Sequence, residues 1–208
     1  MLMAAFGDVC GNLPALRAVL DAVDEAGIHT IVNAGDSVAG GPHPNEVIGL
    51  LRERGIPSVQ GIGDRRTVRF VRKRATLARR LSPTDFHALE RTYDALRCEE
   101  LEFLRGLPQQ RVLEIEGLRV FLCHGAPGSP SDPLPKDADP LKLQRAREAA
   151  NADIIISGGA PTPYARTVDQ ALFVWPGPAA GHHSQEATYA VINTEADPWQ
   201  AQFLHAPY

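Results

Sequence analysis

Apolar and polar positions alternate in blocks over the first sixty residues, and these blocks predict strands and helices in turn. Short apolar runs at 2–7, 29–35 and 56–61 are typical of buried strands. Between them, apolar residues recur at helical spacing over 13–27 and 44–55, each segment with an early proline and a final glycine. The order strand–helix–strand–helix–strand predicts a parallel sheet with helices packed against it.

The alternation stops after residue 64, and the rest of the chain predicts a second, more antiparallel sheet. Residues 65–106 predict mainly helix, an insertion or cap region in which Ser82 is the N-cap of a helix that starts at Pro83. The later predicted elements are two strands within 110–125 joined by a turn at Glu116–Gly117, a loop over 126–140, a helix at about 140–151, and strands at 153–159, 170–177, 187–194 and 199–206. No repeat or linker divides the chain, so residues 1–208 are expected to form one domain.

Composition and charge exclude several function classes. The net charge of -4 gives no global attraction to nucleic acid or to a membrane surface. No apolar run is long enough to span a bilayer, and the N-terminal run lacks the basic region and cleavage site of a signal peptide. Three cysteines, Cys10, Cys98 and Cys123, are odd in number and widely spaced, which favours reduced thiols and a cytoplasmic location.

Each of the first three predicted strands is followed by an aspartate: Asp8, Asp36 and Asp64. A single aspartate in such a place usually caps a turn or the next helix. Ligands of open α/β sheets, however, bind beyond the carboxyl ends of the strands. Three aspartates at three successive strand ends therefore favour a site.

Six short motifs, in order between residue 3 and about residue 195, resemble those of the calcineurin-like metallophosphoesterase superfamily, in its small single-domain prokaryotic type. The motifs are DVCGN at 8–12, AGDSVAGGPHPNEV at 34–47, GIGD at 61–64, FLCHGAP at 121–127, GGAPTP at 158–163 and WPGP at 175–178. The resemblance implies a four-layer α/β/β/α sandwich of two mixed β-sheets flanked by helices. It also implies a dinuclear metal centre that activates water for attack on phosphorus, with Asp8 on the first metal, Asp36 bridging, and His124 on the second.

The active-site positions of these motifs depart from the family pattern at five places. Cys10 stands where the family has a histidine ligand, and Ile62 where it has an asparagine ligand. Gly63 replaces the histidine that assists the leaving group, and Gly159 and Pro161 replace the two histidines of the fifth motif. The second metal would keep only Asp36 and His124, so a two-metal centre is not expected.

Two interpretations of the remaining ligands stay open. Asp8, Cys10, Asp36 and His124 could hold one divalent metal, zinc rather than manganese, because a thiolate prefers softer ions. Alternatively, Cys10 only fills the space of an imidazole and no metal binds; the loss of several ligands together favours this second interpretation.

Further polar residues near the site have weaker roles by resemblance. Asp64 is a remnant that once oriented the lost histidine at 63, and Arg65 and Arg66 beside it could bind phosphate. His182 and His183 could turn into the cleft and replace lost ligands, although a histidine pair in such a loop is more often solvated.

Residues 65–80 contain seven arginines, one lysine and no acid. On one helix, Val68, Val71 and Leu77 are expected to face the body. The basic face is then either solvated or an edge that binds phosphate or nucleic acid. Nucleic acid is the weaker choice because the chain is acidic overall and Phe70 is the only aromatic residue of the segment.

These observations lead to three hypotheses. The first is a metallophosphoesterase-type protein with little or no catalysis, a binding or scaffold module for a phosphorylated small molecule or a protein partner. The second is an active phosphoesterase, on phosphomonoesters or phosphodiesters, with a remodelled single-metal centre. The third is a nucleic-acid-associated protein that uses the basic helix 65–80.

Overall fold

The computed structural model describes residues 1–132, 134–135, 137–180 and 185–208. In chain order its elements are β1 (Leu2–Phe6), α1 (Leu13–Glu25), β2 (Thr30–Asn33), α2 (Pro44–Glu53), α3 (Ile62–Val68), α4 (Phe70–Arg80), α5 (Pro83–Ala95), α6 (Cys98–Gly106), β3 (Gln110–Ile115), β4 (Leu118–Cys123), α7 (Pro140–Ala150), β5 (Ile154–Ser157), β6 (Tyr164–Val168), β7 (Ala171–Trp175), β8 (Glu186–Asn193) and β9 (Gln200–Pro207).

The strands form two mixed sheets, as the resemblance implies. The first has the order β2-β1-β8-β9, with β1 parallel to β2 and antiparallel to β8. The second has the order β3-β4-β5-β7-β6, with parallel pairs in its centre and antiparallel strands at both edges. The predicted fold class is therefore confirmed.

The alternation along β1 shows how the layers stack. Ala4 and Phe6 belong to the apolar cluster that covers α1 and α2, whereas Met3 and Ala5 pack in a second cluster against β4 and β5. A third cluster joins the outer face of the second sheet to α7. Because successive side chains of a strand point to opposite faces, one strand serves two of these interfaces. The resulting order of layers is α/β/β/α.

Two strands differ from the sequence prediction. The predicted third strand at 56–61 makes only one bridge, between Asn33 and Ser58, because Pro57 has no N–H and the chain enters α3 at Ile62. Conversely, β6 was not predicted. It is an edge strand with exposed residues that reaches β7 through Asp169 and Gln170, both at positive φ. Such a turn usually carries glycine or asparagine, so its sequence signal is weak.

The basic segment is broken into two helices rather than one. The backbone leaves helical geometry at Arg69, so α3 ends at Val68 and α4 begins at Phe70. Phe70 is buried against Phe86 and Tyr93, whereas Val71 is 68% exposed. The prediction that Val71 faces the body is wrong because the break changes which residues of α4 face inward.

Other predictions for this region hold. The Ser82 hydroxyl accepts the Asp85 N–H at 3.1 Å and caps α5, as predicted. No helix in the part of the chain that the structure describes has the length and apolar character of a membrane span.

Candidate metal centre

Three strand ends meet at the site, two from the first sheet and one from the second. Asp8 follows β1, Asp36 follows β2 and His124 follows β4. The loops that carry the two aspartates are held together by backbone hydrogen bonds, from Asp8 N to Gly35 O and from Cys10 N to Asp36 O, both at 2.8 Å. Asp8, Cys10 and Asp36 all adopt positive φ, near +50°. Such strain in non-glycine residues is typical of functional loops.

Asp8, Asp36 and His124 form a compact donor set. One ligand atom from each lies within 4.8 Å of the other two. His124 Nε2 is 3.3 Å from Asp36 Oδ2 and 4.0 Å from Asp8 Oδ1. His124 Nδ1 is 2.9 Å from the Ala34 carbonyl, which can only accept, so Nδ1 carries a proton and Nε2 faces the carboxylates.

The backbone orients both carboxylates. Asp8 Oδ2 accepts the Gly159 N–H at 3.0 Å, and Asp36 Oδ1 accepts the Gly63 N–H at 2.6 Å. Two of the five positions that depart from the family pattern thus contribute through their main chain. These contacts fix the carboxylates but supply no further donor to a metal.

The ionisation of the three residues is mutually dependent. Burial alone would lower the pKa of His124, but the hydrogen bond and charge of Asp36 and the charge of Asp8 raise it to about 9. Burial raises the pKa of Asp8 to about 6, against the effect of the His124 charge. Burial also acts to raise the pKa of Asp36, but His124 and the Gly63 N–H lower it overall. Without metal, the centre is an imidazolium–carboxylate cluster.

Cys10 lies beside this set but is not part of it. The residue is half-buried and is a free thiol. Burial, then the charges of Asp36 and Asp8, raise the pKa of the Cys10 thiol well above its usual range. The thiolate that a metal would need is therefore not formed in the metal-free protein. Its role as a ligand stays a prediction.

Asp64 is fully buried and binds backbone rather than the donor set. Its carboxylate accepts the N–H groups of Ser37 at 3.2 Å, Val38 at 3.0 Å and Gly61 at 2.9 Å. Burial, followed by the charge of Asp36, raises the pKa of Asp64 to about 6. The residue holds the loop that carries Asp36 against the start of α3.

The two arginines after Asp64 differ in their surroundings. Arg65 is 9% exposed and donates to Gln109 Oε1 at 2.7 Å, Ser131 Oγ at 3.1 Å and Pro130 O at 3.2 Å. Arg66 is exposed and lines the cleft. Phosphate binding by these arginines stays a prediction. His182 and His183 lie outside the described residues.

A cleft of about 580 Å³ opens above the donor set. All five departures from the family pattern line it together with the three donors: Cys10, Ile62, Gly63, Gly159 and Pro161. Helix α5 forms part of the wall through Asp85, Ala88 and Leu89. That wall was missed because no local sequence signal shows where an inserted helix will pack.

Among the residues that the structure describes, the donor set is large enough for one divalent ion and too small for two. A single ion can bind all three residues after a small contraction, since metal–donor distances near 2.1 Å place its ligands roughly 3–4 Å apart. A second ion would share Asp36 and His124 and find no side-chain donor at 62 or 159. A histidine at 159 is also unfavourable, because Gly159 has φ +69° and a Cβ there would lie 3.1 Å from His124 Nε2.

Comparison with known proteins relates this geometry to a family. The family model described as "Calcineurin-like phosphoesterase superfamily domain" matches residues 1–197. A protein of Methanocaldococcus jannaschii, itself described as uncharacterised, is 30% identical over 134 residues. The alignment covers 62% of this chain and 51% of that protein, so this chain spans about half the length of the curated relative that it matches.

Two solved structures share the fold over the whole chain. A hypothetical protein from Pyrococcus horikoshii superposes with a TM-score of 0.83 at 20% identity, covering 100% of this chain and 88% of that one. A metallophosphoesterase from Sphaerobacter thermophilus superposes with a TM-score of 0.77 at 22% identity, covering 100% and 89%. At such identities the likeness shows the fold alone.

Proposed function

Because the chain belongs to the calcineurin-like phosphoesterase superfamily, we propose that it keeps the family's cleft as a binding site for a phosphorylated ligand while having lost two-metal hydrolysis. The observation that carries this proposal is the composition of the cleft. Three donors cluster at its floor, and Ile62, Gly63, Gly159 and Pro161 line it without any side-chain donor.

The chemistry of phosphoryl transfer explains why these losses matter. Two metals stabilise the attacking and the leaving oxygen of an in-line displacement at once. A site limited to one ion stabilises only part of the developing charge. The glycine at 63 also leaves no side-chain acid at the position from which the family protonates the leaving group. Hydrolysis is therefore expected to be very weak or absent.

Under this proposal the site would hold either no metal or one divalent ion. Asp8, Asp36 and His124 would hold the ion, and it would polarise a bound phosphoryl oxygen. Zinc is favoured over manganese if Cys10 joins the set after losing its proton. Cys10, Cys98 and Cys123 are all free thiols, which supports placing the protein in the reducing cytoplasm.

A second candidate is an active phosphoesterase with one metal. It is favoured by the close approach of the three donors, within 4.8 Å of one another, which suits one ion without rebuilding the loops. Under this proposal the single ion would serve both to orient the substrate and to activate water.

Metal content and turnover distinguish the two proposals. Protein stripped of metal, reloaded with zinc or manganese and desalted is expected to hold at most one ion per chain by elemental analysis. Asp36→Asn is expected to lose that ion, because the substitution removes the negative charge that Asp36 would offer to the metal. Hydrolysis of bis(p-nitrophenyl) phosphate and p-nitrophenyl phosphate should not exceed the rate of the Asp36→Asn variant.

The control is Asp21→Asn on the exposed side of α1, which removes the same charge far from the cleft. Two tightly held ions with rapid hydrolysis would contradict the first proposal. One ion with turnover that Asp36→Asn abolishes and Asp21→Asn preserves would establish the second candidate instead.

A further inference from the structure

A second cavity, of about 510 Å³, adjoins the cleft on the side of the broken basic helix. We call it the basic groove. Five of the residues that line it are basic: Arg65, Arg66, Arg69, Lys73 and Arg80. It shares Ile62, Arg66 and Leu81 with the cleft, so the two cavities are neighbours.

The positive charges of the basic groove are not neutralised by nearby carboxylates. No acidic residue in the described part of the chain lines it. Within the described residues, Arg66, Arg69, Lys73 and Arg80 make no ion pair, and the residues outside that part carry no carboxylate. On the same helix Arg74, which does not line the groove, is paired with Glu90. The groove charges thus lack an ion-pair partner among the described residues, as do Arg72 and Arg79 outside the groove.

The arrangement of these charges is unfavourable for the protein alone. Arg65, Arg69 and Lys73 follow one another at four-residue spacing, and like charges at that spacing repel. Arg69 and Lys73 also lie at the N-terminal end of α4, where the helix dipole disfavours cations and favours anions. Burial, then the charge of Arg69, lowers the pKa of Arg65, in keeping with crowded positive charge. A bound anion would reduce the repulsion between these side chains and would interact favourably with the dipole of α4.

The lining also indicates the kind of anion. Arg65 is held in place by Gln109, Pro130 and Ser131, so its guanidinium is a preorganised part of the groove floor. Both of its Nη groups already donate to these partners, so Arg65 mainly supplies charge, and the exposed Arg66, Arg69 and Arg80 are the arginines that can bind phosphate through paired hydrogen bonds. The remaining walls are formed by aliphatic Ile62, Leu77 and Leu81 and by the hydroxyl residues Thr76 and Ser131. Among the described residues, no aromatic side chain on which a base could stack lines the groove. Several phosphates on a small molecule fit these features better than a nucleic acid strand.

We propose that the basic groove binds the phosphate chain of a multiply phosphorylated small molecule, at a site separate from the Asp8–Asp36–His124 centre. Arg66 belongs to both cavities and places one end of such a chain beside the cleft. The proposal does not depend on metal binding or hydrolysis.

Inorganic triphosphate is the probe for the test, titrated calorimetrically into the metal-free protein at low ionic strength with EDTA present. Saturable binding of one triphosphate per chain is expected, weaker with rising salt. The double variant Arg69→Gln/Lys73→Gln should weaken binding by at least roughly tenfold, because charge-assisted hydrogen bonds to phosphate are lost. Asp36→Asn should leave triphosphate binding unchanged, which separates this proposal from the one for the cleft.

The matched control is Arg72→Gln/Arg79→Gln, which removes two exposed charges from the same helix outside the groove lining. Its dissociation constant for triphosphate should stay within about twofold of the parent value, because screened charges outside the site contribute little. Equal weakening by both double variants, or no saturable binding, would overturn the proposal. Tighter binding of single-stranded oligothymidylate, with affinity that grows with strand length, would overturn it in favour of nucleic acid.

Discussion

Replacing Asp64 by alanine is expected to lower the free energy of unfolding by about 3–5 kcal/mol, since three buried N–H groups lose their acceptor at once. These donors are the N–H groups of Ser37, Val38 and Gly61, and Asp64 is fully buried. Each unsatisfied buried donor costs roughly 1–3 kcal/mol, and some of this will be recovered by water that enters the cavity. Urea unfolding followed by tryptophan fluorescence measures the change.

Two variants test the cause of this loss. Asp64→Asn keeps the shape of the side chain and one acceptor oxygen, so its free energy of unfolding should lie between the value for the parent and the value for Asp64→Ala. Asp21→Ala removes an exposed carboxylate on α1 and should change stability by less than about 0.5 kcal/mol. A cost for Asp64→Ala similar to that of Asp21→Ala would show that the three hydrogen bonds are not stabilising.

The role of Asp64 has a consequence for the metal centre. Its hydrogen bonds to the residues just after Asp36 fix the loop that holds Asp36 at positive φ. A carboxylate at this position therefore serves folding even with a glycine, and no side-chain partner, at position 63. The persistence of Asp64 says little about catalysis, and the cleft proposal rests on the other positions.

The positions of Asp8 and Asp36 were predictable because the pattern of the first strands and helices is unambiguous. Parallel strands bring their carboxyl ends to one edge, so two aspartates that follow β1 and β2 must be close. His124 belongs to the other sheet, and only the family resemblance placed it in the same site. The structure brings all three together.

Features that depend on tertiary packing could not be predicted in this way. No local pattern requires the positive φ of Cys10 or shows that Cys10 stays outside the set formed by Asp8, Asp36 and His124. Similarly, the break at Arg69 turns Phe70 inward to an aromatic cluster with Phe86 and Tyr93, residues of a different helix. Sequence periodicity describes a continuous helix and cannot show where one is interrupted.

The metal-free protein is expected to become less stable as pH rises from about 5 to about 9. The pKa of His124 is raised to about 9 from 6.5, so its contribution is fully present below pH 6.5 and is lost as pH rises through 9. A shift of this size corresponds to about 3 kcal/mol. The pKa values of Asp8 and Asp64, both raised to about 6 from 3.8, act with the same sign, because ionising these buried groups above pH 4 costs folding free energy. Urea unfolding at a series of pH values in EDTA measures the slope.

Two comparisons attribute the slope to the donor set. His124→Gln, which cannot be protonated, should remove the contribution of His124 to the decrease between pH 6.5 and 9. It should also move the contribution of Asp8 to higher pH, because the imidazolium charge no longer opposes the effect of burial on the Asp8 pKa, whereas the contribution of Asp64 should stay below about pH 6. Saturating zinc should oppose the decrease, because a bound dication replaces the imidazolium and favours the deprotonated ligands. A free energy of unfolding that rises with pH in EDTA would show that His124 is neutral in the folded protein. The negative charges of Asp8 and Asp36 would then have to be neutralised by a metal ion instead of by the imidazolium. The direction of this pH slope thus decides whether protonated His124 supplies the charge that compensates Asp8 and Asp36 when no metal is bound.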